Sequence, residues 1–77
     1  MTEFEILNSV MGGITLKDMS AISFFGFVAD KLNGVDANTP ECAELRMLVS
    51  NPPMSRKYPD DEKIKIIAKL KKLGVQF

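Results

Sequence analysis

The sequence offers few side chains that could carry out acid–base or nucleophilic catalysis. It contains no histidine, the residue that most often transfers protons near neutral pH, and one cysteine, Cys42. Cys42 falls on the apolar face of a predicted helix, where a free cysteine behaves as a small hydrophobic residue. Its thiol also lacks the neighbouring histidine base that usually activates a nucleophile. We therefore predict no catalytic residues and a protein that is not an enzyme.

The densest group of carboxylates is Asp60-Asp61-Glu62. Consecutive residues on a helix point in different directions, so these side chains do not converge on one metal ion. They match the first turn of a helix instead, where the helix dipole favours negative charge. The sequence also lacks the cysteine and histidine spacing of a zinc site. We predict no metal ion and no cofactor.

Three lysines are candidate contacts for an anion. Lys65, Lys69 and Lys72 share one side of a predicted helix, where they could contact the phosphate groups of a nucleotide or a nucleic acid. No aromatic side chains are interleaved with them, as they are in many single-stranded nucleic-acid sites. A solvated face that complements the helix dipole is the simpler interpretation, and nucleic acid is not the partner that we expect.

Thr15 is another candidate anion contact, because the free backbone N–H groups at a helix start attract negative charge. Gly12-Gly13 precede it and would let a small anionic ligand such as a nucleotide approach the backbone closely. These glycines match neither the dinucleotide-binding fingerprint nor the P-loop. We therefore interpret them as the end of the first helix.

The second predicted helix is apolar on more than one side. Its main apolar arc consists of Ala21, Ile22, Phe24, Phe25, Val28, Ala29 and Leu32. Phe27 falls outside this arc, among the small and polar residues Ser23, Gly26 and Asp30. One hypothesis is that these four residues form an interface with a second copy of the chain or with another protein. The alternative is that the helix is central and Phe27 meets a second neighbouring helix within the bundle.

The proline-rich segment 51–59 is a further candidate for recognition. Met54, Arg56 and Tyr58 are residue types enriched at protein interfaces, and prolines reduce the entropy lost on binding. The alternative interpretation is a stiff connector between two helices, since prolines commonly occur between helices.

Helical periodicity predicts an all-α fold, a small bundle of about four short helices over residues 3–11, 16–32, 40–50 and 60–73. Thr2 and Thr15 each precede an acidic residue at capping-box spacing, and Thr39 precedes a proline at a first helical position. Asn33-Gly34 predicts a left-handed end to the second helix. We expect one helical domain over residues 1–77.

The 77-residue chain has a formal net charge of zero, but its charges are unevenly distributed. Residues 1–50 carry three basic and seven acidic side chains, and residues 51–77 carry seven basic and three acidic ones. This separation predicts a charge dipole, which can steer a partner or favour self-association. Because a core of this size is only marginally stable, oligomerisation would add useful burial.

These observations favour a small protein-interaction module, an accessory, regulatory or inhibitory protein that occupies a surface on another macromolecule. Its partner would be a protein, with a homo-oligomer as one form. The alternatives are an oligomeric binder of a small anionic ligand such as a nucleotide and a weak nucleic-acid binder. The apolar run of the second helix is too short to span a bilayer, and the lone Cys42 favours a cytoplasmic location.

Overall fold

The computed structural model describes residues 2–35, 38–53 and 58–76, except for the side chain of Met11. Its helices are α1 (Glu3–Leu7), α2 (Ala21–Leu32), α3 (Pro40–Ser50) and α4 (Asp60–Lys72). A short hairpin of β1 (Val10–Met11) and β2 (Ile14–Thr15) separates α1 from a 3₁₀ turn at Leu16–Asp18, which leads into α2. The prediction of a small all-α bundle is confirmed.

The first helix is shorter than predicted because polar side chains close it early. The Asn8 side-chain amide donates to the carbonyl of Phe4 at 2.9 Å, and the Ser9 hydroxyl donates to the carbonyl of Glu5 at 3.1 Å. These bonds satisfy carbonyl groups that would otherwise bond to a further helical turn. The predicted extension of α1 to residue 11 is therefore wrong.

The interpretation of Gly12-Gly13 as the end of a helix is also wrong, because the two glycines form the turn of the β1–β2 hairpin. Their φ angles are +58° and +88°. Positive φ at both central residues is what a two-residue type I′ turn requires, and glycine adopts it without strain. The strands pair antiparallel, with Val10 opposite Thr15.

The second helix begins at Ala21 rather than at residue 16. Thr15 does accept a hydrogen bond from the backbone N–H of Asp18, as its spacing predicts, but it caps the 3₁₀ turn. The cap of α2 is Ser20, whose hydroxyl accepts from the backbone N–H of Ser23 at 3.3 Å. Two cap signals lie close together here, and the sequence interpretation assigned the long helix to the first of them.

The two later helices match their predicted positions closely. Thr39 caps α3 by accepting from the backbone N–H of Cys42. After α4, Gly74 has a φ of +86° and the N–H of Val75 donates back to the carbonyl of Leu70, which is the pattern of a Schellman motif.

The predicted left-handed end of α2 is wrong, because Asn33 has a φ of −58° and Gly34 is not among the glycines with positive φ.

The helices share one hydrophobic core, with α4 packed against α1 and α3, and α2 packed against α3. The buried apolar residues are Ile6, Leu7, Leu16, Ala21, Phe24, Phe25, Phe27, Val28, Leu32, Cys42, Leu45, Ile66, Ile67 and Leu70. Every helix and the 3₁₀ turn contribute at least one of them. None of the helices in the described part of the chain is long and apolar enough to cross a membrane.

Candidate functional site

The structure places Phe27 inside the bundle, in agreement with the alternative interpretation of a central helix and not with an exposed interface residue. Only 9% of its surface is accessible, and its ring centroid lies 6.4 Å from that of Phe24. The Lys31 ammonium lies 5.5 Å from the Phe27 ring centroid, close enough for a cation–π contact. The buried arc of α2 is therefore rotated toward Phe27 relative to the helical wheel, and Phe27 is part of the core.

The exposed side of α2 keeps the predicted Ser23, Gly26 and Asp30 but has Ile22 instead of Phe27 as its large apolar residue. Ile22 and Ala29, which the sequence placed in the core arc, are both exposed, and Ile22 keeps 61% of its surface accessible. Ile22, Gly26 and Asp30 follow one another at four-residue intervals, so they form a single row along the helix. Exposed Ser23 lies beside this row. We call these four residues the outer ridge of α2.

Gly26, at the centre of the outer ridge, has no structural justification within the described part of the chain. A Cβ atom built on it would meet no heavy atom within 4 Å. A glycine inside a helix costs about 1 kcal/mol relative to alanine. Because no neighbouring backbone approaches it here, the close packing that commonly explains such a glycine does not come from this fold.

A groove lies next to the outer ridge, between α2 and α3. It is open to solvent, has a volume of about 220 Å³ and is lined by Ala29, Leu32, Asn33, Arg46, Val49 and Ser50. Leu32 is buried, Val49 is half-buried and Ala29 is exposed, so the apolar lining extends from the core to the surface. The other lining residues are polar. The groove therefore combines an apolar wall with polar side chains and one cation.

Arg46 is held in place at this groove by two hydrogen bonds. Its Nε donates to the sulfur of Cys42 at 3.4 Å, and its Nη2 donates to the carbonyl of Val35 at 3.0 Å. The side chain is exposed, and no carboxylate among the described residues forms an ion pair with it. Arg46 is not among the candidate residues predicted from the sequence. Its four-residue spacing from Cys42 was the available signal.

The segment 51–59 is described only in part. Met54 and Arg56, two of its predicted recognition residues, lie outside the described residues. Tyr58 is half-buried, with its ring centroid 5.0 Å from that of Phe25 in an edge-to-face contact and 6.4 Å from that of Phe24. Burial and the nearby Glu62 carboxylate raise the pKa of Tyr58. Its aromatic ring thus packs the end of this segment against the core, which agrees with the interpretation of the segment as a connector between two helices.

Carboxylates accompany two of the three candidate lysines on α4. Lys65 pairs with Glu62 at 3.5 Å, and Lys69 pairs with Glu44 of α3 at 3.4 Å. Lys72 is exposed. These three lysines therefore present less positive charge to a phosphate than the sequence alone indicates. The Lys69 pair also joins the basic C-terminal part of the chain to its acidic N-terminal part.

At Thr15, a carboxylate already occupies the position expected for an anion. The Thr15 hydroxyl donates to Oδ2 of Asp18 at 2.6 Å and accepts from the backbone N–H of Asp18 at 3.3 Å. Thr15 begins a 3₁₀ turn of three residues rather than a long helix. A bound nucleotide would have to displace or neutralise Asp18, so the geometry gives no support to an anion site here.

A densely hydrogen-bonded polar group in the described structure is the ammonium of Lys63, which is not among the candidate residues predicted from the sequence. Lys63 is fully buried, and its Nζ donates to the carbonyls of Leu16 at 3.1 Å, Lys17 at 2.7 Å and Met19 at 2.9 Å. Its Nζ also lies 5.5 Å from the ring centroid of Phe24. This lysine fastens α4 to the turn before α2, and no space is left around it for a ligand.

The acidic cluster at the start of α4 does not assemble a metal site. In the described residues, no group of three or more cysteine, aspartate or glutamate side chains is arranged to hold a metal ion. Oδ1 of Asp60 is buried without a hydrogen-bond partner there. The outer ridge and the α2–α3 groove therefore remain as the two candidate binding surfaces.

Comparisons with protein-family models, curated proteins and solved structures found no match.

Proposed function

We propose that this protein is a non-enzymatic interaction module that binds a helix of a protein partner across the outer ridge of α2. The observation that carries this proposal is the position of Gly26. It lies in the middle of an exposed row, between Ile22 and Asp30, with open space above it. A helix of the partner that crosses at this notch would give the glycine the close contact that its own fold does not provide.

Ridge packing explains why these residue types suit a helix partner. Side chains spaced four apart form ridges, and the ridge of one helix packs into the groove of another at interaxial distances of about 8–10 Å. A glycine in the ridge permits the shorter end of that range. Ile22 then supplies apolar area, because burying an isoleucine side chain fully contributes about 1.5–3 kcal/mol. Asp30 places a negative charge at the other end of the contact.

The best test compares substitutions inside the ridge with one outside it. Ile22→Asp and Gly26→Leu are expected to abolish binding, the first by adding charge and the second by blocking the approach of the partner helix. Met47→Asp is the matched control, because Met47 is an exposed apolar residue of α3 with 74% of its surface accessible and lies outside the ridge. Affinity capture from the native host and sedimentation of the pure protein measure the two forms of association.

Loss of the same stoichiometric partner in both ridge variants, with retention in Met47→Asp, supports a heteromeric module. Concentration-dependent sedimentation of the wild type that the ridge variants remove supports a homo-oligomer. If capture and sedimentation are the same for all four proteins, the outer ridge is not the interface and the proposal fails. Circular dichroism checks that each variant keeps its helices.

An accessory, regulatory or inhibitory role agrees with this mode of action, since such proteins act by covering a surface. The cytoplasmic location also stays part of the proposal and rests on the single, buried Cys42. Nucleotide and nucleic-acid binding receive less support, because carboxylates accompany Lys65, Lys69 and Thr15.

A further inference from the structure

We propose that the groove between α2 and α3 is a binding site for a small monocarboxylic acid with a branched or aromatic apolar tail. The tail would occupy the apolar wall, and the carboxylate would bind the guanidinium of Arg46. This site is separate from the outer ridge, since none of the four ridge residues lines the groove. It therefore does not depend on the protein-interaction proposal.

The dimensions of the groove select the size of the tail. An apolar cavity of about 150 Å³ can hold benzene. The groove is open to solvent and offers about 220 Å³, which accommodates one ring or one branched aliphatic group together with a carboxylate. Leu32, Val49 and Ala29 supply apolar surface along its wall. A long lipid chain or a nucleotide would extend beyond the groove into solvent.

The polar lining selects the charge of the ligand. The bonds to Cys42 and Val35 use Nε and Nη2 of Arg46, so the Nη1 amino group has no acceptor among the described residues. These bonds also fix the guanidinium before any ligand arrives, which lowers the entropy lost on binding. A guanidinium presents parallel N–H groups that match a carboxylate. A single cation with this geometry favours a monocarboxylate over an amine.

Of the two other polar side chains in the lining, Asn33 offers a donor to the carboxylate and Ser50 only an acceptor. Asn33 forms no side-chain hydrogen bond within the described part of the chain, so its amide N–H is available to a carboxylate oxygen. The Ser50 hydroxyl donates to the carbonyl of Arg46 at 2.8 Å, which keeps its oxygen as an acceptor. The donors in the groove thus lie at its Arg46 and Asn33 side.

Isovalerate is a suitable probe, because it joins a branched tail to one carboxylate. Nuclear magnetic resonance titration of the whole chain is expected to give saturable shifts at the backbone amides of Ala29, Leu32 and Val49, with a dissociation constant on the order of 1 mM. Acetate lacks the tail and isovaleramide lacks the charge, so each should bind at least about tenfold more weakly.

Two variants test the site from its two sides. Arg46→Gln removes the charge and should weaken isovalerate binding by about 10- to 100-fold. Ala29→Leu should abolish binding by filling the groove. Leucine is a good helix former and position 29 is exposed, so this variant should keep the fold. It therefore tests the site even if Arg46→Gln disturbs the loop at Val35. Phe4→Ala, at an exposed position of α1 outside the groove, is the control that should bind like the wild type.

Three results would overturn the proposal. They are the absence of saturable shifts from isovalerate, equal binding of isovaleramide, and undiminished binding by Ala29→Leu. The first removes the site, the second shows that the charge is not recognised, and the third places the ligand elsewhere. None of these results affects the outer ridge, whose test uses partner binding by Ile22 and Gly26 variants.

Discussion

Lys63 and Arg46 both donate to backbone carbonyl groups, but in two different environments. Lys63 is fully buried at the junction of α4 with the 3₁₀ turn and has three carbonyl acceptors within 3.1 Å. Arg46 is exposed at the α2–α3 groove and has one carbonyl acceptor, at Val35. We call the surroundings of Lys63 the closed region, because the contacts of its ammonium lie within the protein. The surroundings of Arg46 are the open side, where the guanidinium keeps N–H donors that no described residue uses, next to a groove that is open to solvent.

This difference indicates which polar groups maintain the fold and which can bind something else. A buried ammonium must be fully hydrogen-bonded, because an unpaired one would be strongly destabilising. Lys63 meets that requirement internally and therefore has no capacity for a ligand. Arg46 remains solvated, so a ligand can replace water at its guanidinium. Function is expected on the open side of the molecule, and stability on the closed side.

The largest expected effect on stability is in the closed region, at Phe24. Its side chain is fully buried and contacts the rings of Phe25 and Tyr58. Phe24→Ala should lower the free energy of unfolding by about 3–5 kcal/mol, through lost burial and the cavity left behind. Ile22→Ala, on the exposed side of the same helix, should change it by about 0.5 kcal/mol or less. Urea denaturation followed by circular dichroism measures both, and similar losses would contradict the two-sided description of α2.

A somewhat smaller loss is expected when Lys63 is replaced. Lys63→Met keeps the apolar stem but leaves the three carbonyls without their ammonium donor, which should cost about 2–4 kcal/mol. Lys65→Met is the control, because the Lys65 side chain is 70% exposed and its ion pair with Glu62 contributes at most about 0.5 kcal/mol. If the two variants unfold at the same urea concentration, the Lys63 contacts do not stabilise the fold.

Much of the helical architecture was predictable, because its signals are local. The start and end of α3 follow from Thr39-Pro40 and the prolines after Ser50, and α4 follows from its acidic start and Gly74. The capping box of Thr2 and Glu5 is also present, with the Glu5 backbone N–H donating to the Thr2 hydroxyl at 3.1 Å. These features involve residues within about one helical turn of each other.

The errors fall where local signals compete or where distant residues decide. Gly12-Gly13 fits both a helix end and a hairpin turn. The strands on either side, β1 and β2, have two residues each, which is too short to show the alternation of apolar and polar residues that predicts a strand. Phe27 was placed outside the apolar arc, because a helical wheel of one helix does not show which sides of α2 the other helices cover. The contacts of Lys63 with residues 16–19 join positions more than 40 apart in the sequence, so no local pattern reveals them.

The open side of the molecule is expected to tolerate, and even benefit from, substitution. Gly26→Ala should raise the free energy of unfolding by about 0.5–1 kcal/mol, because alanine fits a helix better and meets no heavy atom within 4 Å. Gly74→Ala should have the opposite effect, since Gly74 has a φ of +86° that strains any other residue. Thermal denaturation of the two variants compares them directly. Destabilisation by Gly26→Ala would mean that the ridge is packed in the isolated protein.

The smallest expected effect is the pH dependence that arises from Tyr58, at the edge of the closed region. Burial raises its pKa above the usual 10.0, because the phenolate is harder to accommodate near the aromatic core than the neutral phenol. Above pH 10, the unfolded chain releases the phenol proton more readily than the folded chain does. The folded state then binds more protons, so its stability falls as the pH rises through this range.

The chain contains one tyrosine and no tryptophan, so the ultraviolet absorbance of the phenolate reports on Tyr58 alone. Its titration midpoint in the folded protein should exceed the midpoint measured in urea. Tyr58→Phe should reduce the loss of stability above pH 10. Equal midpoints in the folded and unfolded protein would show that the Tyr58 hydroxyl is as solvated as that of a free tyrosine. The closed region would then end at the rings of Phe24 and Phe25.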